Sequence, residues 1–250
     1  DENSVYDSYK KLIEYPHIPD IIYFHKAESK LIEIDLKTSG KKIGYIPGAG
    51  DKVPTALQKM GYEVSILSAS DITLNNLKQF DAIVTGVRAY NIFGWLNDSY
   101  NTLMNYVKNG GVLLVQYNTN NNIGPVKAKI GPYPFTISRT RVTDETAAVE
   151  FTDPKNVLMN YPNKISQKDF DNWIQERSTY QAENYQANYK TLFSMHDANT
   201  APAEGSLIYT DYGKGRFIYS GLVFFRELPA GVPGAYRLFA NLIAKPVSKK

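Results

Sequence analysis

The sequence contains no cysteine, and this absence excludes several kinds of chemistry. Without a thiol there is no cysteine nucleophile, no disulfide, no cysteine-ligated zinc and no iron–sulfur cluster. Histidine is also scarce. The three histidines, His17, His25 and His196, are too far apart in sequence to indicate a metal site by their spacing. We therefore predict no metal and no cofactor.

Neither sign of charge dominates, and no apolar run is long. Lys and Arg total 28 and Asp and Glu total 25, which gives a net charge of +3, and no basic block interrupts the mixture. This pattern argues against a nucleic-acid partner. The longest apolar runs, such as residues 111–115 and 221–225, have the length of a β-strand, so the sequence predicts no membrane span.

Residues 1–40 differ from the rest of the chain. Two short segments, 18–25 and 30–36, have the character of strands, and the second alternates apolar with charged residues. Segments this short do not bury a core of their own. We expect residues 1–40 either to pack on the following domain or, as our preferred interpretation, to be the tail of, or linker from, a preceding domain.

From Lys41 onward apolar strands alternate with helices, and residues 41–250 are predicted to form the main domain. The strands are uninterrupted apolar runs, which is typical of parallel sheets covered on both faces. The sequence therefore predicts an α/β fold with a doubly wound, mainly parallel, flavodoxin-like sheet. Its predicted strands are residues 42–46, 62–67, 81–85 and 112–116, and its predicted helices are residues 53–60, 71–77 and 95–108.

In the second half of the chain the alternation of strands and helices stops, and the residue pattern predicts an antiparallel β extension. Residues 135–142 alternate like an antiparallel strand, which residues 149–151 are expected to continue. Residues 226–234 carry two prolines and two glycines and predict a restrained loop. The other predicted elements are a helix at 166–177, strands at 191–195, 206–212 and 216–223, and a last helix at 233–244.

In open α/β sheets, ligands bind beyond the carboxyl ends of the strands. That rule selects the loops at 47–51, 86–91, 116–122 and 222–229. The candidate ligand-binding residues in these loops are Asp51, Arg88, Tyr90, Gln116, Tyr117, Asn118 and Arg226. Gly48 and Gly50 resemble part of a phosphate-binding turn. Because the third glycine of a dinucleotide fingerprint and the lysine of a P-loop are missing, a tight strand-to-helix turn is the alternative.

Trp173, Glu176 and Arg177 form a second candidate site. Their spacing of i, i+3 and i+4 predicts that they share one face of the helix at 166–177. An indole beside a carboxylate and a guanidinium suits a sugar, because the ring stacks and the charged groups bind hydroxyls. In the alternative interpretation, Trp173 fills the core, and Glu176 and Arg177 pair with neighbours such as Arg226 or Arg88.

Several stretches of the chain resemble a known family. They are KIGYIPGAGD at 42–51, DAIVTGVRAYN at 81–91, NYPNKI at 160–165, DNWIQER at 171–177 and the long run at 213–242. Together they cover residues 41–245 and resemble the C-terminal domain of many LmbE/PIG-L-type deacetylases from Bacteroidetes-like bacteria. That domain has a class I glutamine amidotransferase-like fold. The resemblance implies that the partner is a deacetylase-type subunit or preceding domain, and that the location is periplasmic or secreted.

The residues that an active amidotransferase needs are missing. Enzymes of this fold use a cysteine on a strand-to-helix turn and a histidine after a late strand. The resemblance places Gln116, Tyr117 and Asn118 at that turn, and residues 224–227, which include no histidine, after the late strand. It therefore implies a non-catalytic domain that binds carbohydrate or packs on the deacetylase. Two alternatives stay open: a hydrolase acting on a glycan or amide through carboxylates such as Glu176 or through His196, and a structural scaffold.

Overall fold

The computed structural model describes residues 6–28, 31–119 and 129–246. Contacts divide the chain into two units, Asp1–Ile34 and Asp35–Lys250. Residues 120–122 of the predicted loop at 116–122 lie outside the described residues. Across the described ranges, no helix has both the length and the apolar character needed to cross a membrane.

The first unit is an antiparallel ribbon of two strands, β1 (Ser8–Tyr15) and β2 (Ile18–Lys26). The strand predicted at residues 18–25 is present as β2, whereas the sequence pattern does not reveal β1. Leu12 of β1 is exposed, and so are Ile22 and Phe24 of β2. A two-stranded ribbon of this kind is marginally stable at best in water.

The second strand predicted in this region, at residues 30–36, is not formed. Residues 31–40 have no regular secondary structure. Their backbone bonds to side chains instead of to a neighbouring strand: the Lys37 N–H donates to Asn163 Oδ1 at 2.8 Å, and Asn163 Nδ2 donates to the Lys37 carbonyl at 2.8 Å. Arg237 donates in the same way to the Asp35 carbonyl. These partners lie far along the chain, so local alternation carries no information about them.

The second unit begins with the parallel strands that the apolar runs predicted. The strands in its described part are β3 (Lys42–Ile46), β4 (Glu63–Ile66), β5 (Ala82–Thr85), β6 (Val112–Gln116), β7 (Thr136–Ile137), β8 (Val149–Phe151), β9 (Ala182–Glu183), β10 (Lys190–Thr191), β11 (Phe193–Met195), β12 (Leu207–Tyr212) and β13 (Gly215–Ser220).

Seven of these strands form one mixed sheet in the order β4–β3–β5–β6–β13–β12–β10. The first five strands in this order, β4, β3, β5, β6 and β13, run parallel to one another. Strand β12 is antiparallel to β13, and β10 is antiparallel to β12. Every residue of β5 and of β6 is buried, as expected for apolar strands inside a parallel sheet. The predicted α/β class is confirmed.

Helices connect these strands. They are α1 (Val53–Lys59), α2 (Leu74–Leu77), α3 (Ala89–Ile92), α4 (Trp95–Asp98), α5 (Tyr100–Lys108), α6 (Val157–Asn160), α7 (Phe224–Ala230) and α8 (Pro233–Leu242), with single 3₁₀ turns at Ala69–Asp71 and Gln167–Phe170. The helix predicted at 95–108 is divided at Ser99 into α4 and α5. The helix predicted at 71–77 starts later, because Thr73 rather than Asp71 caps α2 and accepts the Asn76 N–H.

Three further predictions in the second half are corrected. The strand at 135–142 is reduced to β7, which pairs with β9, and β8 does not continue it but pairs with β11. Residues 224–230 form α7 instead of belonging to a loop. That helix accommodates Pro229 near its end and stops at Gly231, whose φ of 72° is left-handed.

The third correction concerns the helix predicted at residues 166–177. Only Gln167–Phe170 form a 3₁₀ turn, begun by a reciprocal capping box between Ser166 and Asp169. Asn172 and Gln175 then adopt left-handed φ angles of 58° and 66°. A chain with left-handed residues at these positions does not continue a right-handed helix.

Candidate ligand-binding crevice

Because β3, β5, β6 and β13 are parallel, their carboxyl ends meet at one edge of the sheet. The loops that follow them bring predicted candidates together there. The Arg88 N–H donates to the Tyr117 carbonyl at 2.8 Å and joins the loop after β5 to the loop after β6. Arg88 itself has a left-handed φ of 61°, which is uncommon for a residue other than glycine.

Asp51 and Gln116 belong to a buried polar network below this edge. The Tyr45 hydroxyl lies 2.6 Å from Asp51 Oδ1, which also accepts the Val53 N–H at 3.0 Å. Gln116 Nε2 donates to the Tyr45 hydroxyl at 3.3 Å. Burial, and then the Asp51 carboxylate, raise the pKa of Tyr45 far above its usual value, so its phenol stays protonated. Asp51 therefore acts in the structure as an anchor of its loop.

Two of the oxygens at these strand ends have no hydrogen-bond partner among the residues that the structure describes. Thr85 Oγ1 and Gln116 Oε1 are both buried and unpaired. Buried polar atoms are nearly always satisfied, so each of them requires a water molecule or a ligand group.

Tyr90 and Asn118 hold the backbone of the crevice loops. The Tyr90 N–H donates to Asn118 Oδ1 at 3.0 Å, and Asn118 Nδ2 donates to the Gln116 carbonyl at 3.0 Å. Both side chains are buried. Burial raises the pKa of Tyr90. These contacts position the loop after β6, and neither side chain offers an exposed surface.

The turn between Gly48 and Gly50 is held by packing. A Cβ atom on Gly48 would lie 2.1 Å from the Val87 carbonyl oxygen, so only glycine fits there. The Ala49 N–H donates to the same carbonyl at 2.8 Å. These contacts are those of a tight strand-to-helix turn, which was the alternative interpretation of Gly48 and Gly50.

Tyr117 lies at the centre of an aromatic cluster. Its ring stacks on Tyr180 with centroids 5.6 Å apart and an interplanar angle of 8°, and its centroid lies 5.3 Å from that of Phe225. The Arg226 guanidinium lies 5.1 Å from the Phe225 centroid. All of these side chains are only partly buried. We use "the crevice" for the group Arg88, Tyr117, Tyr180, Phe225 and Arg226.

Two cations act on the Tyr117 hydroxyl. Burial raises the pKa of Tyr117, and the positive charges of Arg88 and Arg226 lower it, while Tyr180 and Glu176 raise it further. The raised pKa leaves Tyr117 as a neutral hydrogen-bond donor. Arg88 Nε is buried, and no atom of the described ranges forms a hydrogen bond with it.

Glu176 is a carboxylate that pairs with Arg226 of the crevice. It is 2% exposed, its Oε1 lies 2.8 Å from Arg226 Nη1, and its Oε2 binds Arg141. Both carboxylate oxygens are therefore occupied by guanidinium groups. The pairing of Glu176 with Arg226 is one that the sequence analysis considered. Arg141 was not identified, because nothing in its alternating segment distinguishes it.

Trp173 and Arg177 do not share a helix face with Glu176. Trp173 is 3% exposed, its indole N–H donates to the Asp169 carbonyl at 2.9 Å, and its ring stacks on Phe170 at 5.3 Å. Arg177 lies over both rings and donates from Nε to the Ala147 carbonyl at 3.1 Å. Burial lowers the pKa of Arg177, and nearby carboxylates offset only part of this shift. The proposed face of indole, carboxylate and guanidinium is corrected: Trp173 packs inside the protein.

Tyr180 is a crevice residue that sequence reasoning missed. The Tyr219 hydroxyl donates to the Tyr180 carbonyl at 2.7 Å, and the neighbouring Thr179 N–H donates to the Gly221 carbonyl at 2.8 Å. These bonds fix residues 179–180 beside the end of β13. Tyr180 lies in a stretch without periodicity, so no sequence signal marked it.

A titratable group lies next to the crevice on α7. Glu227 is fully buried, and its carboxylate accepts the Ile174 N–H at 3.1 and 3.2 Å. Burial raises the pKa of Glu227 to about 7, although that hydrogen bond and the positive charges of Arg177 and Arg226 lower it.

Comparison with known proteins gives fold-level likeness. No family model matches the chain, and no curated protein matches it. Among solved structures, cytoplasmic protein STM3548 from Salmonella typhimurium is 14% identical with a TM-score of 0.52, covering 96% of this chain and 97% of its own. The likeness is one of fold. At this identity it indicates nothing about function.

Two other similar structures have lower TM-scores. A candidate GMP synthase component from Thermoplasma acidophilum is 13% identical with a TM-score of 0.49, covering 83% of this chain and 94% of that chain. A candidate ThuA-like protein from Bacteroides uniformis is 15% identical with a TM-score of 0.48, covering 85% and 94%.

The described crevice contains both apolar and charged groups. It combines partly exposed aromatic rings with guanidinium groups, and its candidate carboxylates, Asp51 and Glu176, are engaged by protein donors. The described residues contain no cluster of three or more potential metal ligands of the His, Asp or Glu type. His196, the alternative catalytic residue, is exposed, and its Nδ1 lies 2.9 Å from the Asp197 backbone oxygen rather than from a carboxylate.

Proposed function

We propose that this chain is a non-catalytic, doubly wound, class I glutamine amidotransferase-like domain that binds carbohydrate at the crevice. In this proposal it accompanies a PIG-L/LmbE-type N-deacetylase in the periplasm or outside the cell. Carbohydrate binding serves to hold the substrate glycan near the neighbouring catalytic domain.

The strand order supports the fold component of the proposal. Counted along the chain, the parallel strands β4–β3–β5–β6–β13 have the order 2-1-3-4-5. That is the order of flavodoxin-like doubly wound sheets, whose ligands bind beyond the carboxyl ends of the strands. The motif resemblance over residues 41–245 points to the amidotransferase-like branch of such folds.

The residue after β6 supports a non-catalytic role. The motif resemblance places Gln116, Tyr117 and Asn118 at the turn where an amidotransferase has its nucleophilic cysteine, and the phenol of Tyr117 is the most acidic group among them. A phenol whose pKa is raised by burial is a weak nucleophile, and no imidazole of the described residues forms a hydrogen bond with it. Nucleophilic catalysis needs both an activated nucleophile and a base in hydrogen-bond reach.

The observation that carries the proposal is the composition of the crevice. Partly exposed rings at the carboxyl edge of the sheet stand beside two guanidinium groups. Sugar rings present one apolar face and a rim of hydroxyls, so aromatic planes with nearby fixed donors recognise both features.

Titration calorimetry with amino-sugar oligosaccharides tests carbohydrate binding. We expect saturable binding that is lost in Tyr117→Ala. Tyr15→Ala is the control, because it removes an exposed ring of the first unit and should leave binding unchanged. Absence of heat across a broad neutral and charged oligosaccharide panel would contradict the proposal.

Association with a deacetylase is tested separately. A purified PIG-L/LmbE-type deacetylase should form a complex with this chain in sedimentation velocity, and the complex should deacetylate oligosaccharides faster than the enzyme alone. An unchanged deacetylation rate together with two independently sedimenting species would eliminate that part of the proposal.

A further inference from the structure

We infer that the ligand of the crevice is an acidic saccharide whose carboxylate is bound by Arg88. This inference rests on the proposed carbohydrate-binding function and names the class of sugar. Its basis is the distribution of charge among the described residues of the crevice.

The Arg88 backbone is held in place, whereas its Nε is without a hydrogen-bond partner in the described part of the chain. Its backbone adopts a left-handed φ of 61° and its N–H is bound to the Tyr117 carbonyl. Strained conformations of non-glycine residues concentrate at ligand and active sites. The buried Arg88 Nε has no hydrogen-bond partner, and no carboxylate of the described residues forms an ion pair with this guanidinium.

The other charges near Arg88 are already engaged. Glu176 is shared between Arg141 and Arg226, so two guanidinium groups face one carboxylate. Asp51 accepts hydrogen bonds from Tyr45 and from the Val53 and Val87 backbone N–H groups. A surplus positive charge therefore remains beside Tyr117.

A guanidinium that lacks a protein partner leaves donors for water or for an anionic ligand group, and a buried donor is the harder one for water to reach. Its planar fork matches a carboxylate in a bidentate geometry. Among acidic saccharides, the uronic acids carry such a planar carboxylate, whereas sulfate and phosphate esters carry tetrahedral anions. The adjacent Tyr117 and Phe225 rings supply the surface for the sugar ring that carries this carboxylate.

Calorimetry with matched oligosaccharides tests this inference. Uronic-acid oligomers are compared with neutral hexose oligomers of the same linkage and length, and with sulfated and phosphorylated forms of the neutral oligomers. We expect the uronic-acid oligomers to bind on the order of tenfold more tightly than the neutral ones, the value of one charge-assisted hydrogen bond.

Substitutions at Arg88 test whether this residue causes the preference for uronic-acid oligomers. Arg88→Gln should weaken binding of the uronic-acid oligomers on the order of tenfold more than binding of the neutral oligomers and so remove the preference, and Arg88→Lys should retain part of the preference. Lys214→Gln is the charge-matched control, because Lys214 is exposed and precedes β13, at the end opposite to the crevice. Circular dichroism of each variant verifies folding, and the preference of the unmodified protein is itself measurable without any variant.

The outcomes separate this inference from the proposed function. Equal affinity for uronic and neutral oligomers would overturn the acidic-sugar assignment and leave carbohydrate binding intact. Tighter binding of the sulfated or phosphorylated oligomers than of the uronic ones would overturn the choice of carboxylate. Failure of every oligomer to bind would overturn both proposals.

Discussion

The rings of Tyr117 and Tyr180 lie nearly parallel, with centroids 5.6 Å apart, although 63 positions of the chain separate them. One ring follows the central strand β6 and the other belongs to a stretch without regular structure. Their contact joins the second half of the chain to the loop at the carboxyl end of β6.

We predict that this stacking is energetically coupled. Offset-stacked aromatic pairs contribute about 0.5–1.5 kcal/mol beyond the area they bury. Urea unfolding of Tyr117→Ala, Tyr180→Ala and the double variant should therefore give a coupling energy of about 1 kcal/mol. A control cycle of Tyr117→Ala with Lys214→Ala should give a value near zero. Equal coupling in the two cycles would show that the rings do not interact.

The second prediction concerns Glu176, whose two oxygens bind different arginines. Glu176→Gln removes the negative charge between Arg141 and Arg226 and should lower the free energy of unfolding by about 2 kcal/mol. That is less than for a fully buried pair, because the Arg141 and Arg226 side chains are 52% and 30% exposed.

The two arginines should also differ from each other. Solvent screens the more exposed Arg141, so Arg226→Gln should cost more stability than Arg141→Gln in the same denaturation experiment. Glu150→Gln, which removes an exposed carboxylate on β8, provides the baseline. A larger cost for Arg141→Gln would contradict this assignment.

The third prediction is a pH dependence caused by Glu227. Burial raises its pKa to about 7 from an ordinary value of 4.5. Between these values the folded protein binds more protons than the unfolded chain, so the free energy of unfolding falls as pH rises from 4.5 to 7 and then levels off. The contribution of this group is about 3 kcal/mol.

Glu227→Gln should remove this pH dependence. Its neutral amide keeps an oxygen for the Ile174 N–H, so the variant should be more stable than the unmodified protein at pH 8. Chemical denaturation at pH 5, 6, 7 and 8 measures the slope for both proteins, with Glu150→Gln as the control that retains it. An unaltered slope in Glu227→Gln would assign the dependence to another group.

The fourth prediction separates packing from ligand contact at Trp173. Trp173→Ala should lower the free energy of unfolding by about 3–5 kcal/mol, because it leaves a large cavity. Trp95→Ala should cost less, since Trp95 is only partly buried. At temperatures where Trp173→Ala is folded, its affinity for oligosaccharides should equal that of the unmodified protein. Weakened sugar binding with unchanged stability would show that Trp173 contacts the ligand rather than filling the core.

Local patterns predicted the parallel part of the sheet well. Strands β3, β5 and β6 lie within about one residue of their apolar runs, because burial on both faces demands uninterrupted apolar residues. The same reasoning missed α7, whose Pro229 and Gly231 are signals of a loop. In the protein, Pro229 falls near the end of the helix and Gly231 caps it, so both signals are compatible with helix.

The helix expected at residues 166–177 was wrong for a different reason. Its apolar and charged residues have helical spacing, but Trp173 is buried against Phe170 and Phe224, and Arg177 binds the Ala147 carbonyl. These tertiary contacts are compatible with left-handed turns at Asn172 and Gln175, which local propensity does not anticipate.

The sequence by itself determined the α/β class, the parallel strands with their carboxyl-end loops, and the absence of a thiol, because these depend on residue type and local periodicity. The tertiary structure decided which side chains meet at those loops: Tyr180 against Tyr117, and Arg141 and Arg226 on Glu176. It also left Arg88 Nε without a hydrogen-bond partner among the described residues. Such contacts join residues tens of positions apart, and their formation depends on the packing of the whole unit rather than on any local pattern.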